Sequence, residues 1–180
     1  MMTWVYLVTA IAVLLVLGLW LSWTANRLDR MHHRIDVARA SLETQLLHRS
    51  GTTLELATSG ALDPARSLLL LDCAHYARAA AADAFEPAES DLSEALRAVF
   101  ADAEEVVTLK QDSGVGELLV ELAGDCRKVV LSRRFHNDVV VSARALRSRR
   151  RVRWLRLTGR AAVIGTVDLD DAPPEGLAAD

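Results

Sequence analysis

Few side chains in this 180-residue chain are placed to do chemistry. His32 and His33 precede Asp36, so an imidazole and a carboxylate stand four apart on one predicted helix. That spacing can ligate a metal and is the one remote route to a metal-dependent enzyme. No second cluster joins it, because His48, His75 and His136 are isolated in sequence. A polar helix face is the plainer reading, and no metal or cofactor is expected. Cys73 and Cys126 read as two apolar, reduced thiols, and helix phase does not decide whether they approach one another. No phosphate-cradling glycine loop, nucleophile elbow or paired-carboxylate arrangement occurs, so the chain is not expected to be an enzyme.

The most unusual string is Arg133-Arg134-Phe135-His136-Asn137-Asp138. Arg133 and His136 fall on stripe positions where Leu or Val would be expected. A guanidinium there needs partners. Arg133, His136, Asn137 and Asp36 are therefore expected to form a structural polar clasp that fixes helix register. Asp36, Glu43 and Asp83 are the candidate anions by height.

The elements that position these groups begin with an oily segment. No charged residue precedes Arg27, and Val5 to Leu21 is almost purely apolar. About 20 such residues cross a bilayer core of about 30 Å. Trp4 stands at one end and Trp20 and Trp23 near the other, as interfacial aromatics. The absence of a basic residue ahead of the run favours a retained anchor over a cleaved signal peptide. Arg27, Arg30, Arg34 and Arg39 follow the span, so the amino end is expected outside and the carboxyl-terminal domain in the cytoplasm. The expected organisation is a short external end (1–3), a transmembrane helix (4–24), a helical bundle (25–157) and an irregular tail (158–180).

Leu28, Met31, Ile35, Ala38, Leu42 and Leu46 recur at alternating spacings of three and four, a coiled-coil-like face. The helix leaving the membrane is expected to run to about Ser59, stop at Gly60 and be weakest at Gly51-Thr52-Thr53. A second helix opens at Asp63-Pro64, with Leu68, Leu69, Cys73, Tyr76 and Ala80 as its buried face, and ends near Phe85. A third opens at Asp91, with Glu94 completing a capping box, and buries Leu92, Leu96, Val99, Ala103 and Val106. The fourth runs from about Ser113 to about Leu155. Its stripe is Val115, Leu119, Leu122, Cys126, Val129, Arg133, His136, Val140, Ala143 and Leu146. Low Gly and Pro content agrees with an all-α fold. Short connections favour an antiparallel, up-down four-helix bundle. Ile164 to Leu169 either pairs as a short strand or lies on the bundle.

In that topology a fourth helix of about 43 residues, roughly 64 Å long, returns to the bilayer surface. Its end carries Arg144, Arg147, Arg149, Arg150, Arg151, Arg153, Arg156 and Arg160, with Trp154 among them as a further interfacial aromatic. With Arg27, Arg30, Arg34 and Arg39 these make a basic collar for anionic lipid headgroups, each residue contributing about 1 kcal/mol. Residues 83–125 hold 12 acidic side chains against Arg97 and Lys110. The charge is thus segregated rather than uniformly basic, and the arginine run lacks interleaved stacking aromatics, so nucleic acid is not an expected partner.

Several of these strings resemble the LemA family: Asn26-Arg27-Leu28-Asp29, Asp36-Val37-Ala38, Gln45-Leu46-Leu47-His48-Arg49, and above all Arg133 to Val140. The Asp170-Asp171-Ala172-Pro173-Pro174 tail is also similar to the family. The chain departs from the family pattern at Arg39, Gly51 to Leu56, His136 and Ala143-Arg144. The resemblance implies an amino-terminal anchor, a short external end and a cytoplasmic antiparallel helical bundle, and implies no established enzyme activity. The expected role is a membrane-anchored scaffold for an unidentified protein partner. The alternative is a homo-oligomeric coat that organises the anionic leaflet.

Overall fold

The computed structural model describes residues 2–111, 113–147 and 165–178. It is all-helical, with no strand among the described residues. Among the described residues the helices are, in order, α1 (Met2–Thr58), α2 (Pro64–Ala79), α3 (Phe85–Val99), α4 (Ala103–Lys110), α5 (Ser113–Arg147) and α6 (Glu175–Ala178). The chain divides into two compact units, Met1–Val37 with Val139–Gly165, and Ala38–Asp138 with Thr166–Asp180. The tail from Thr166 thus groups with the larger helical unit.

Within the first unit, the 19 residues Met2–Trp20 form a helix long and apolar enough to cross a membrane. Its large side chains are exposed, including Leu14, Leu15 and Leu19. The hydroxyl of Thr9 donates to the carbonyls of Val5 and Tyr6, so this polar group is satisfied inside the helix. Further along, Ile35 buries itself with Val140 and Ala143, flanked by Met31 and Val139.

The second unit holds the main core. Leu56, Leu70, Leu92, Leu96, Phe100, Leu119, Leu122 and Leu177 are among its buried members. A smaller cluster of Leu42, Leu46 and Val129 is packed by Phe85 and Val167. The predicted stripes of α1 and α5 therefore point inward at Ile35, Ala38, Leu42 and Leu46, and at Val115, Leu119, Leu122, Cys126, Val129, Val140 and Ala143.

Helix α1 ends within one residue of expectation, and Gly60 adopts φ 80°, the left-handed conformation of a helix stop. Asp63 caps α2, accepting from the backbone N–H of Ala65 and Arg66. The buried face of α2 is Leu70, Ala74 and Ala77 rather than Leu68, Leu69 and Tyr76, which are exposed. Four consecutive leucines at 68–71 carry no phase, so their sequence alone cannot fix which one turns inward. The helix ends at Ala79, because Ala80 is extended (φ −60°, ψ 133°).

The largest departure concerns the third predicted helix. It begins at Phe85, six residues early, and Asp91 lies inside it, so no capping box forms there. Pro87 is accommodated in the first turn, where a missing N–H leaves no intrahelical bond unmade. The helix also breaks after Val99, and Asp102 starts α4 by accepting from Glu104 and Glu105 N–H. The expected extension of α5 to Leu155 lies outside the described residues.

The tail is irregular over residues 165–174 and then turns into α6, where Leu177 enters the main core. The Gly176 N–H donates to the Phe100 carbonyl at 3.2 Å. A Cβ at Gly176 would stand 2.5 Å from that oxygen and 3.1 Å from Val106 Cγ2. Gly176→Ala should therefore lower stability by about 1–3 kcal/mol in urea unfolding. An unchanged midpoint would show that this approach is not constrained.

Candidate functional site

Two polar constructions stand out in the larger unit. The first is an ion pair in the core. Counting on from Leu46 by the same helical spacing places Arg49 on the inward stripe of α1, where its side chain is 2% exposed. Its Nη2 donates to Glu89 Oε2 at 2.6 Å and to the Glu89 carbonyl at 3.1 Å, and its Nη1 to Ser93 Oγ at 2.8 Å. Ser93 Oγ in turn donates to the Glu89 carbonyl. Nε finds no protein partner. Thr53, one turn on, returns its hydroxyl proton to the Arg49 carbonyl.

A buried guanidinium is tolerable only with a desolvated anion beside it. Burial pushes the Glu89 carboxyl above its ordinary range, while the charge and hydrogen bond of Arg49 pull the other way. The carboxyl thus protonates in the fold at a higher pH than it would in the unfolded chain, so mild acidification of Glu89 does not itself favour unfolding. Asp125 of α5 is also buried and accepts from Thr52 Oγ1 and Lys128 Nζ, each at 2.9 Å. Gly51-Thr52-Thr53, expected to be the weak point of the helix, supplies two of these buried hydroxyls. Cys126 follows Asp125; both Cys73 and Cys126 are free thiols, and burial pushes both upward.

The second construction binds the tail to α3 and α5. Asn137 grips the backbone of Val167 from both sides: Nδ2 donates to its carbonyl and Oδ1 accepts its N–H, each at 2.9 Å. Glu86 Oε1 accepts the Asp168 N–H at 3.1 Å, and Ser90 Oγ accepts the Asp170 N–H at 3.0 Å. Arg97 forks onto Asp170 and also donates to the Ala172 carbonyl. Arg133 forks onto Asp171, with Nε and Nη2 at 2.6 and 2.9 Å. Leu169 and Pro174 are buried along the way.

These contacts correct the expected clasp. Arg133 does use a carboxylate partner, but the anion is Asp171 of the tail, not Asp36, Glu43 or Asp83. Asp36 is exposed on α1. Asn137 holds tail backbone, and His136, 1% exposed, has Nδ1 3.3 Å from Asn137 Oδ1 and no protein partner at Nε2. The tail is irregular in conformation, yet its groups are individually bound.

Arg30, Arg34 and Arg144 are exposed. The side chains of Arg27 and Arg147 lie outside the described ones, as do residues Arg150, Arg151, Arg153 and Trp154. Trp4, Trp20 and Trp23 are exposed on α1. His33 is exposed, the side chain of His32 is not among those described, and no group of three or more potential metal ligands occurs among the described residues.

Sequence reasoning missed Arg49 and Glu89. The signal for Arg49 was its register with Leu42 and Leu46. Glu89 was hidden by starting α3 at Asp91.

Replacing Arg49 by Met strands a buried carboxyl and should cost about 3–5 kcal/mol in urea unfolding, whereas Arg49→Met with Glu89→Leu should recover most of the loss. A loss in the double variant equal to the sum of the losses of Arg49→Met and Glu89→Leu alone would mean that the pair is not coupled.

The Asp170 carboxyl is held below the ordinary aspartate range by its hydrogen bonds from Arg97 and then from the Ala172 N–H, against the effect of partial burial. Its stabilising contribution is present above the unfolded pKa and is lost as pH falls through the lowered folded value. The Val167 and Asp170 amide signals in NMR should therefore shift toward an unbound tail only below about pH 4. Asp170→Asn should flatten that acid response, and an identical response in the variant would exclude Asp170 as its source.

Comparison of the chain with protein-family models, with curated proteins and with solved structures gives no match.

Proposed function

We propose that the protein is a single-pass membrane scaffold of the LemA type. In this reading residues 4–24 span the bilayer, with the amino end outside. The remainder is a cytoplasmic antiparallel bundle that presents a helical surface to a protein partner, without catalysing a reaction. One observation carries the reading: the exposed apolar stretch Met2–Trp20 belongs to the same unbroken helix, α1, that supplies Leu42, Leu46, Arg49 and Leu56 to the core. Nineteen residues at 1.5 Å each give about 28 Å, close to a hydrocarbon core. A leader would be cut within this helix. The lack of Lys or Arg before the span and the arginines just after it support the orientation.

An antiparallel pairing of α1 and α5 is supported by register inside the larger unit. Leu42 and Leu46 cluster with Val129, while the later Thr52 bonds to the earlier Asp125. The LemA-like strings supply several of the polar contacts: Arg49 anchors the buried ion pair, while Arg133 and Asn137 hold the similarly LemA-like Asp170-Asp171 segment. The resemblance therefore falls on residues with structural work to do.

The second reading, an oligomeric protein that organises anionic lipid through its basic collar, is favoured by the exposure of Arg30 and Arg34 and by the arginine run from 144 to 160.

Fractionation separates the readings. The full chain should resist alkaline carbonate extraction from membranes, and deletion of residues 1–26 should release it. A mature chain that begins beyond Ala25 and fractionates as soluble would overturn the anchor. Deleted protein that floats with anionic but not neutral vesicles at low salt would favour the collar reading, and its failure to float would leave the protein scaffold.

A further inference from the structure

The tail is bound in the manner of a peptide ligand. Its backbone polar groups at Val167, Asp168 and Asp170 are satisfied by side chains of the helices. Asn137 supplies one donor and one acceptor to a single residue, as a neighbouring β-strand would, and this recognises extended backbone whatever its side chain. Specificity comes from two guanidinium forks, Arg97 on Asp170 and Arg133 on Asp171, whose planar donors match carboxylates. Leu169 fills a buried position just before the two bound aspartates in sequence.

We propose that the face formed by Glu86, Ser90 and Arg97 of α3 with Arg133 and Asn137 of α5 is a recognition site for an extended acidic peptide, Val-Asp-Leu-Asp-Asp. Its occupant is the chain's own segment 166–171, held as a detachable ligand. Several observations favour detachment over a permanent layer of the core. The segment has no helical or sheet ladder of its own, and each of its bonds is separate. The Arg97–Asp170 contact remains substantially exposed, with side-chain exposures of 31% and 46%. Segments with few cooperative backbone bonds open locally at lower free energy than core helices. The occupant is also chemically matched. Residues 166–177 carry four acidic side chains and no basic one, and two of those acids meet the guanidinium groups of Arg97 and Arg133. The inference is independent of membrane insertion.

A labelled peptide covering residues 165–178 provides the test. It is titrated into the full chain and into the full chain carrying Asp170→Lys with Asp171→Lys, which sets like charges against Arg97 and Arg133. The charge-reversed chain should bind the peptide saturably, and at least about tenfold more tightly than the native chain, whose own tail competes. Adding Arg133→Met or Asn137→Ala to the charge-reversed chain should weaken binding by about tenfold or more. Circular dichroism melts establish that each chain is folded.

If the charge-reversed chain does not fold, amide exchange of the native chain decides instead. The Val167, Asp168 and Asp170 amides should exchange at least about tenfold faster than those of Leu119 and Leu122 in α5. Absence of saturable binding to the folded charge-reversed chain, or tail amides that exchange only with the α5 core, would overturn the proposal.

Discussion

A desolvated positive charge governs the architecture of the larger unit. Arg49 is buried on α1, and the cost of taking a guanidinium out of water is met only if an anion and further acceptors are delivered to it. Glu89 and Ser93 do this from α3, four residues apart and therefore on one helix face. Apolar side chains alone would allow α3 to slide or rotate against α1, because Leu packs almost equally well against several neighbours. The ion pair does not. It requires one rotation of α3, which in turn directs Ala88, Leu92, Ala95 and Leu96 into the core. The same rotation belongs to a helix whose Glu86, Ser90 and Arg97 bind the tail.

Polar specificity extends from the core to the surface in graded exposure. The Arg49–Glu89 pair is almost wholly dry, Arg133–Asp171 is about one-tenth to one-fifth exposed, and Arg97–Asp170 is wetter still. Removing one partner matters most where water cannot replace it, so these three pairs, although chemically alike, do different work. The innermost fixes helix register. The outer two hold the acidic side chains of a segment whose backbone is bound by Asn137, Glu86 and Ser90.

Much of this was legible in the sequence, and the failures are instructive. The alternation from Ile35 to Leu46 located the inward face of α1, and Asp63-Pro64 located the start of α2 to the residue. Long amphipathic repeats and local caps are decided by nearest neighbours, which the sequence displays. The phase of α2 was not legible, because the four leucines at 68–71 offer equal hydrophobicity on every side and tertiary packing chooses among them. The start of α3 was hidden because Asp91-Leu92-Ser93-Glu94 mimics a cap, while the actual first turn at Phe85 has no side-chain cap at all. For the site, the string around Arg133 correctly signalled a cation in need of a partner. Its partner is 38 residues away in a segment with no periodicity, and only the folded structure reveals that pairing.

The grip of Asn137 on Val167 closes a circuit: the chain leaves this point along α5 and returns to it 30 residues later. The tail therefore never needs to find its site from bulk solution. Covalent connection supplies it at an effective concentration on the order of 1 mM, so even a free-peptide dissociation constant of about 0.1 mM would keep the site about nine-tenths filled. A backbone cleavage on the circuit would abolish that advantage, and would convert an intramolecular latch into a dilutable two-component complex.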